Sequence, residues 1–397
     1  MSRCGPLCHS RVSPRREALC AWVLAALALP APCVLAQPLA IPVTAPAPEA
    51  SSPATDGAEA SQAPAPGPGV LDEAIRQPDD PRLPGQFRVG FYWDNDSRSG
   101  TLFRDADRHY TSGIGLSGAV RTQEKRGFAR WMDSLTFEAE RQAVGIATGH
   151  LLFTPEDLTR TDVIRNDRPY AAYAYGGVFL QRQRGDHFEH LELDLGIVGP
   201  SALGEEVQTS IHENFAGELP RGWDNQIPDE PSIQATYRRK WRLGEHGRRI
   251  QDGEWDWEVI PHVALTLGTL QRHFETGATL RAGWNLPDDF GPGRLGEPIS
   301  ATGLPVMEQA TIYGFTAVAV RIVEFNAFVE GSQFNESHGV SAETFVGEFR
   351  VGVSGAWRAL GGELEATYSL NFLTDEFDRQ STDDVYGSLV LAFRWRD

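Results

Sequence analysis

From Gln86 to the end of the chain, apolar residues recur at every second position. Phe87, Val89, Phe91 and Trp93 alternate with Arg88, Gly90, Tyr92 and Asp94. Between His187 and Ile197, Leu191, Leu193, Leu195 and Ile197 are set against Glu192 and Asp194; Trp255, Trp257 and Val259 repeat the pattern. Near the C-terminus Leu389, Leu391, Phe393 and Trp395 alternate with Ser388, Val390, Ala392 and Arg394. A period of two puts successive side chains on opposite faces, so each segment predicts a strand with one apolar face. About twelve such segments, each of about ten residues, suit the length and even number of a membrane barrel. They begin near 86, 109, 137, 171, 187, 231, 254, 274, 310, 343, 362 and 384. The ninth is long enough to hold a break near Val323.

The fold class expected is therefore all-β, a closed antiparallel transmembrane β-barrel, because open strand edges are not tolerated in lipid. Two features weigh against a soluble sandwich or lipocalin-like barrel. The second face carries Glu, Asp, Arg and Gly instead of a second apolar core. Aromatic residues also recur near strand ends, as in a membrane girdle: Trp93, Tyr110, Tyr170, Tyr173, Trp241 and Trp395.

One segment departs from period two. Within the insert 199–231, Leu203, Val207, Ile211 and Phe215 fall four apart and predict a helix with an apolar stripe, capped by Ser201 and ended by Gly217. The stripe suits either the barrel wall or acyl chains. If the N-terminal tail is periplasmic, odd strands run outward. The first strand then ends at the outer rim near Asn95, Gln183–Asp186 is a short inner turn, and the helical insert lies outside. Residues 287–308 become a long periplasmic connection, where short turns are the rule.

The N-terminal part has a different character. Residues 1–36 read as a signal peptide: Arg3, Arg11, Arg15 and Arg16, an apolar run from Ala18 to Leu29, then Val34-Leu35-Ala36 before the expected cleavage. All four cysteines (Cys4, Cys8, Cys20, Cys33) fall in it, so the exported part has no thiol chemistry. Residues 37–85, rich in Pro, Ala, Ser and Gly, lack the apolar side chains to fold and form a disordered linker ahead of the barrel, 86–397. Removing the four Arg and one Glu of the signal segment takes the net charge from −18 to −21. Such a surface repels phosphate polymers, excludes nucleic acid as a partner and favours divalent cations.

Few residues carry candidate chemistry. His212 and Gln208 share one face of the helix, and a histidine there can serve as general base. The stretch His212-Glu213-Asn214-Phe215-Ala216 is not the two-histidine zinc motif, since Ala occupies the second ligand position. His187 and His190, three apart on a strand, point to opposite faces and make no metal pair. Asp94-Asn95-Asp96 and the loop Ser97–Asp107 are rich in oxygen ligands but lack EF-hand spacing. Arg165 and Arg168, flanking Asn166-Asp167, suit either a lipid phosphate or nearby acids. No nucleophile-elbow Gly-x-Ser-x-Gly is present, nor the His-x-Ser-Asn-Gly segment of outer-membrane phospholipase A.

Four stretches together resemble the outer-membrane lipid A 3′-O-deacylase family, the LpxR family. They are Trp93-Asp94-Asn95-Asp96, Asp107-Arg108-His109-Tyr110-Thr111-Ser112-Gly113, Asn166-Asp167-Arg168-Pro169-Tyr170-Ala171, and Gly196–Glu218 followed by Gly222-Trp223-Asp224-Asn225-Gln226. The resemblance spans roughly 86–397. It implies a twelve-stranded barrel acting on lipid A or lipopolysaccharide in the outer leaflet, with a Ca2+-dependent site between barrel wall and loop helix. It further implies site residues Asn95, Asp96, Thr111, His212 and Glu218, with Asp96 and Glu218 as metal ligands. The family's additional basic residue has Arg160, Arg165 and Arg168 as candidates here, of which Arg165 and Arg168 are taken as substrate-binding. A closed barrel needs no partner subunit, so a monomer is expected. The competing functions are a passive barrel (a pore, or a structural or adhesion protein) and a phospholipase using the same site.

Overall fold

The structure, a computed structural model, describes residues 86–96, 109–122, 127–215, 218–243, 255–303, 310–381 and 384–395. The expected signal segment 1–36, the linker 37–85, the loop 97–107 and Gly217 lie outside the described residues. Among those described, twelve antiparallel strands close into one barrel. They are β1 (Phe87–Asn95), β2 (His109–Thr122), β3 (Arg141–Thr154), β4 (Ala171–Arg184), β5 (His187–Val198), β6 (Glu230–Trp241), β7 (Trp255–Gly268), β8 (Gln271–Trp284), β9 (Thr311–Asn326), β10 (Phe345–Ala359), β11 (Gly362–Leu373) and β12 (Asp384–Trp395). Each pairs with its chain neighbours, and β1 closes on β12 from Arg88↔Arg394 to Asn95↔Gly387. The break expected near Val323 is a bulge. Pairing steps from Arg272↔Phe325 to His273↔Val323 and leaves Glu324 extra within an otherwise continuous β9.

The apolar strand face is the outer one. Ile114 and Leu116 on β2, Ile146 on β3, Val178 on β4, Leu195 on β5 and Ile312 on β9 are all exposed. A continuous apolar band around a closed barrel matches hydrocarbon, not water. The aromatic girdle differs from the expected one. Tyr110 and Tyr173 point into the lumen and Tyr170 is buried under the outer loops. Exposed aromatics ring the end where β1 begins and β12 finishes, here called the inner end (Phe87, Trp255, Trp257, Trp284, Trp357 and Trp395), while Phe345, Phe349 and Phe372 are exposed toward the outer end.

Residues 285–303 of the long inner connection between β8 and β9 fold back into the lumen as a plug. Arg294 and Glu297 form a backbone bridge across a turn at Gly296, whose φ of 72° only glycine adopts without strain. The wall then binds the plug from several sides. Arg88 Nη1 donates to Ser300 O at 2.5 Å, Ile299 N to Tyr92 Oη at 3.0 Å, and Ala301 N to Gln181 Oε1 at 2.7 Å. Lys240 Nζ donates to Phe290 O at 2.9 Å, and Arg394 Nη1 to Gly303 O at 3.1 Å. Arg294 reaches Glu348 at 2.6 Å, Glu297 at 3.1 Å and Glu275 at 3.3 Å. Burial would raise the Glu297 carboxyl, but Arg238, Lys240 and Arg294 around it hold it well below the carboxylate range. Above the plug is a cavity of about 250 Å³, lined by Tyr110, Tyr175, Asp194, Arg321 and Tyr386 among others.

Among the described residues, three α-helices decorate the strands. The expected loop helix is α2 (Gly204–Phe215), between β5 and β6 at the outer rim. Two short ones add to it: α1 (Phe128–Leu135), between β2 and β3 at the inner end, and α3 (Ala327–Glu330), after β9. Phe328 of α3 stacks on Phe153 with centroids 4.2 Å apart and lines the cavity.

Candidate active site

At the outer rim, α2 lies against the outside of the wall. Ser201, expected to cap it, does otherwise. It sits in a 3-10 turn (Pro200–Ala202), where its backbone N–H and hydroxyl each bond the Asp229 carboxylate at 2.7 Å. His150 of β3 pins the same turn by donating from Nε2 to Ala202 O at 2.7 Å. The first helical residue is Gly204, where a Cβ would lie 2.5 Å from Ala172 Cβ and 2.5 Å from the Trp223 ring. Gly204, Gln208 and His212, four apart, follow one another along the helix, and the latter two are buried. The apolar stripe therefore does not lead the packing. Val207 is half-buried, and Leu203 and Ile211 are exposed on the outer side.

Trp223 organises this seam. It is buried with Leu152, Leu158, Tyr170, Ala172 and Ala202, and its Nε1 donates to Gln208 Oε1 at 2.8 Å. That bond orients the Gln208 amide. Nε2 is turned the other way, buried and without a hydrogen-bond partner among the described residues. One turn on, His212 Nδ1 lies 2.5 Å from Glu218 O. A carbonyl only accepts, so Nδ1 carries the proton and the neutral ring keeps its lone pair on Nε2. Glu218 thus acts on His212 through its backbone, while its carboxylate is exposed.

The other expected residues gather at the outer ends of β1 and β2. Thr111 is the extra residue of a bulge, where pairing steps from Tyr110↔Phe153 to Ser112↔Leu152. Its carbonyl accepts from Asn95 Nδ2 and from Asp96 N, each at 3.2 Å. Its hydroxyl bonds Thr154 Oγ1 at 2.7 Å. Asp96 and Thr111 are buried. β3 connects this group to the helix: Thr154 touches Thr111, and Leu152, on the same strand face, lies in the cluster beneath α2.

The basic candidates separate. Arg165 is exposed. Arg160 is tied to Asp162 at 2.5 Å. Arg168 is buried, with its guanidinium 2.5 Å from Glu376 and lying over the Phe153 and Phe377 rings at 5.8 and 5.4 Å. Burial would raise the Glu376 carboxyl, but Arg168 beside it holds it below the usual range. Arg168 is thereby a tie between rim loops, whereas Arg160 and Arg165 are exposed.

His109 has a role its motif did not reveal. It adopts a left-handed backbone, φ 63°, and its ring is wedged between Asp384, bonded to Nδ1, and Asp167, 3.7 Å from Nε2. Fully buried against Phe377, it clamps the starts of β2 and β12 two residues before Thr111. Its partners lie far away in sequence, and no local pattern announces them. The free donor of Gln208 depends likewise on Trp223, whose distance along the chain hides the pair.

For a metal, Asp96, Glu218, Asn95 and Thr111 offer carboxylate, amide and hydroxyl oxygens. That donor set suits calcium and not the nitrogen- or sulfur-seeking metals. Among the described residues, no three His, Cys, Asp or Glu side chains are already gathered around one point.

The comparisons agree with this architecture. The family model described as outer membrane protein LpxR matches residues 71–395. LpxR from Salmonella typhimurium superposes with a TM-score of 0.59 and 21% identity, covering 77% of this chain and 99% of that one. The beta domain of the Bordetella autotransporter BrkA gives a TM-score of 0.40 and 12% identity, over 79% of this chain and 100% of that one. No curated protein matches the sequence. With the family model running from before β1 to the last residue of β12, the chain belongs to the LpxR family of bacterial outer-membrane proteins.

Proposed function

We propose that this chain is a calcium-dependent hydrolase that removes the 3′-linked acyloxyacyl group from lipid A. The observation that carries the reading is His212. It is an imidazole with its tautomer set by Glu218 O, held in a seam between α2 and the lipid side of the barrel wall. Nε2 takes a proton from water as the water oxygen attacks the ester carbonyl. The Gln208 Nε2 donor, one helical turn away, hydrogen-bonds the oxyanion that forms. Collapse of the tetrahedral intermediate expels the 3-oxygen of the sugar, which recovers the proton from the imidazolium. No acyl-enzyme is required, in keeping with the absence of a serine motif.

A bound calcium would polarise the ester carbonyl, with Asp96 and Glu218 as charged ligands and the oxygens of Asn95 and Thr111 beside them. Leu203 and Ile211 are exposed and would meet acyl chains, and exposed Arg165 would pair with a lipid phosphate. The reading is tested by mass spectrometry of lipid A from cells expressing the wild type or His212→Ala. The wild type should yield lipid A lacking the 3′ group, and the variant should leave it intact while still forming a heat-modifiable barrel. Unaltered lipid A with folded wild type in calcium overturns the reading. Glycerophospholipid offered to the purified protein, with and without chelator, separates a phospholipase.

A further inference from the structure

α1 lies flat on the outside of the barrel at its inner end. Ala129 and Met132 are buried on its wall side, and the Asp133 carboxylate pairs with Arg182. Arg182 shares its strand face with exposed Val178, so it points away from the lumen, and it meets Glu189 of β5 on the same outer face at 2.6 Å. The Phe137 ring, just after α1, covers Arg182 at 5.0 Å and Arg239 at 5.9 Å. Segment 128–137 therefore covers a charged patch that the wall would otherwise present to hydrocarbon.

In its place α1 presents Phe128, Trp131 and Leu135, exposed by 53%, 55% and 58%. Their spacing of three and four aligns them in one stripe. Arg130 and Ser134 are exposed on a third face. The stripe is not isolated. It extends the exposed ring of Phe87, Trp255, Trp284, Trp357 and Trp395 at the same barrel end. Tryptophan collects where hydrocarbon meets headgroups, and an amphipathic helix with a basic polar side lies in that plane.

We propose that α1 is an interfacial helix embedded in the phospholipid leaflet on the periplasmic side of the outer membrane. The Phe128–Trp131–Leu135 stripe lies among acyl chains, with Arg130 at the level of the phosphates. This device seals the outward charges of β4–β6 and fixes the depth of the barrel, independently of any catalysis at the other rim.

The sequence has no cysteine beyond Cys33, so replacing Cys4, Cys8, Cys20 and Cys33 by Ser gives a clean background for single labels. Nitroxides at 128, 131 and 135, and separately at 130 and 134, are placed in vesicles of phosphatidylethanolamine and phosphatidylglycerol and in native outer membranes. The first three should collide with oxygen several-fold more than with a water-soluble nickel chelate, and the last two should show the reverse. A probe at 131 as open to nickel as one at 134 overturns the proposal. So does a probe at 131 that is immobilised and reached by neither reagent in native membranes, which would mean a protein covers the stripe. Heat-modifiability confirms folding of each variant; should Trp131→Cys fail to assemble, the probes at Phe128 and Leu135, both exposed, decide between the same outcomes.

Discussion

The plug in the lumen and the seam under α2 are both polar regions on a barrel wall, but they are built to opposite ends. The plug is tied at many points: Arg294 alone engages Glu275, Glu297 and Glu348, and plug carbonyls accept from wall arginines. In the seam, the Gln208 amide is held by one bond and offers a buried Nε2 with no partner among the described residues. Many hydrogen bonds and ion pairs closing on one segment from several strands give rigidity. A held but unsatisfied donor is a standing cost of folding, which a ligand can remove. On the proposed reading, the lumen serves stability and the outer wall serves chemistry.

The sharpest way to break that contrast is His212→Ala. Loss of a general base should lower the deacylation rate by about 10²–10⁴-fold with the unfolding midpoint unchanged. A large fall in stability would instead make His212 a member of a structural network. Next comes Glu297→Ala, which leaves Arg238, Lys240 and Arg294 facing one another. Removing one member of a buried pair costs about 3–5 kcal/mol, read as a lowered urea midpoint, and channel recordings should show conductance that the wild type lacks. Acid should act in the same direction. The Glu297 carboxyl is depressed in the fold, so its stabilisation is complete above the ordinary value of 4.5 and is lost as pH falls below it toward the lowered one. Denaturation profiles from pH 6 downward, wild type against Glu297→Gln, would reveal that share as a difference that shrinks as pH falls below 4.5.

A smaller effect is expected from Gly204→Ala. Its Cβ would press on Ala172 and Trp223, lifting α2 and displacing Gln208 and His212 together. Turnover should fall roughly tenfold to a hundredfold, because misplacement of about 1 Å has that consequence. The smallest should be Arg165→Ala, a few-fold rise in apparent KM with kcat retained. Arg168→Ala, by contrast, should lower stability through orphaned Glu376. If the two arginines behave alike in both assays, their division is wrong.

Much of this was legible in the chain. Strand starts expected near 86, 109, 171, 187, 254, 310, 362 and 384 agree with the observed ones to within a residue, because one wet and one apolar face impose alternation. Even the break near Val323 had a counterpart, the Glu324 bulge. What was not legible depended on partners distant in sequence. The 287–308 connection read as an overlong loop because its partners are luminal side chains of six different strands, each looking merely polar in its own segment. Ser201 looked like a cap until Asp229, across the insert, claimed both its N–H and hydroxyl. Arg168 looked like an anion ligand because Glu376 lies more than two hundred residues downstream. The helix α1 is only eight residues long, too short for its apolar stripe to stand out beside the strands.

With the proposed site in a seam on the outer wall of a plugged barrel, the reaction would have the kinetics of a membrane surface. Substrate arrives and product departs by lateral diffusion within one leaflet. Turnover should therefore follow the mole fraction of lipid A in that surface, not its bulk concentration. Diluting the substrate with inert lipid at constant total amount should slow the enzyme, whereas diluting whole vesicles with buffer should leave the rate per enzyme unchanged.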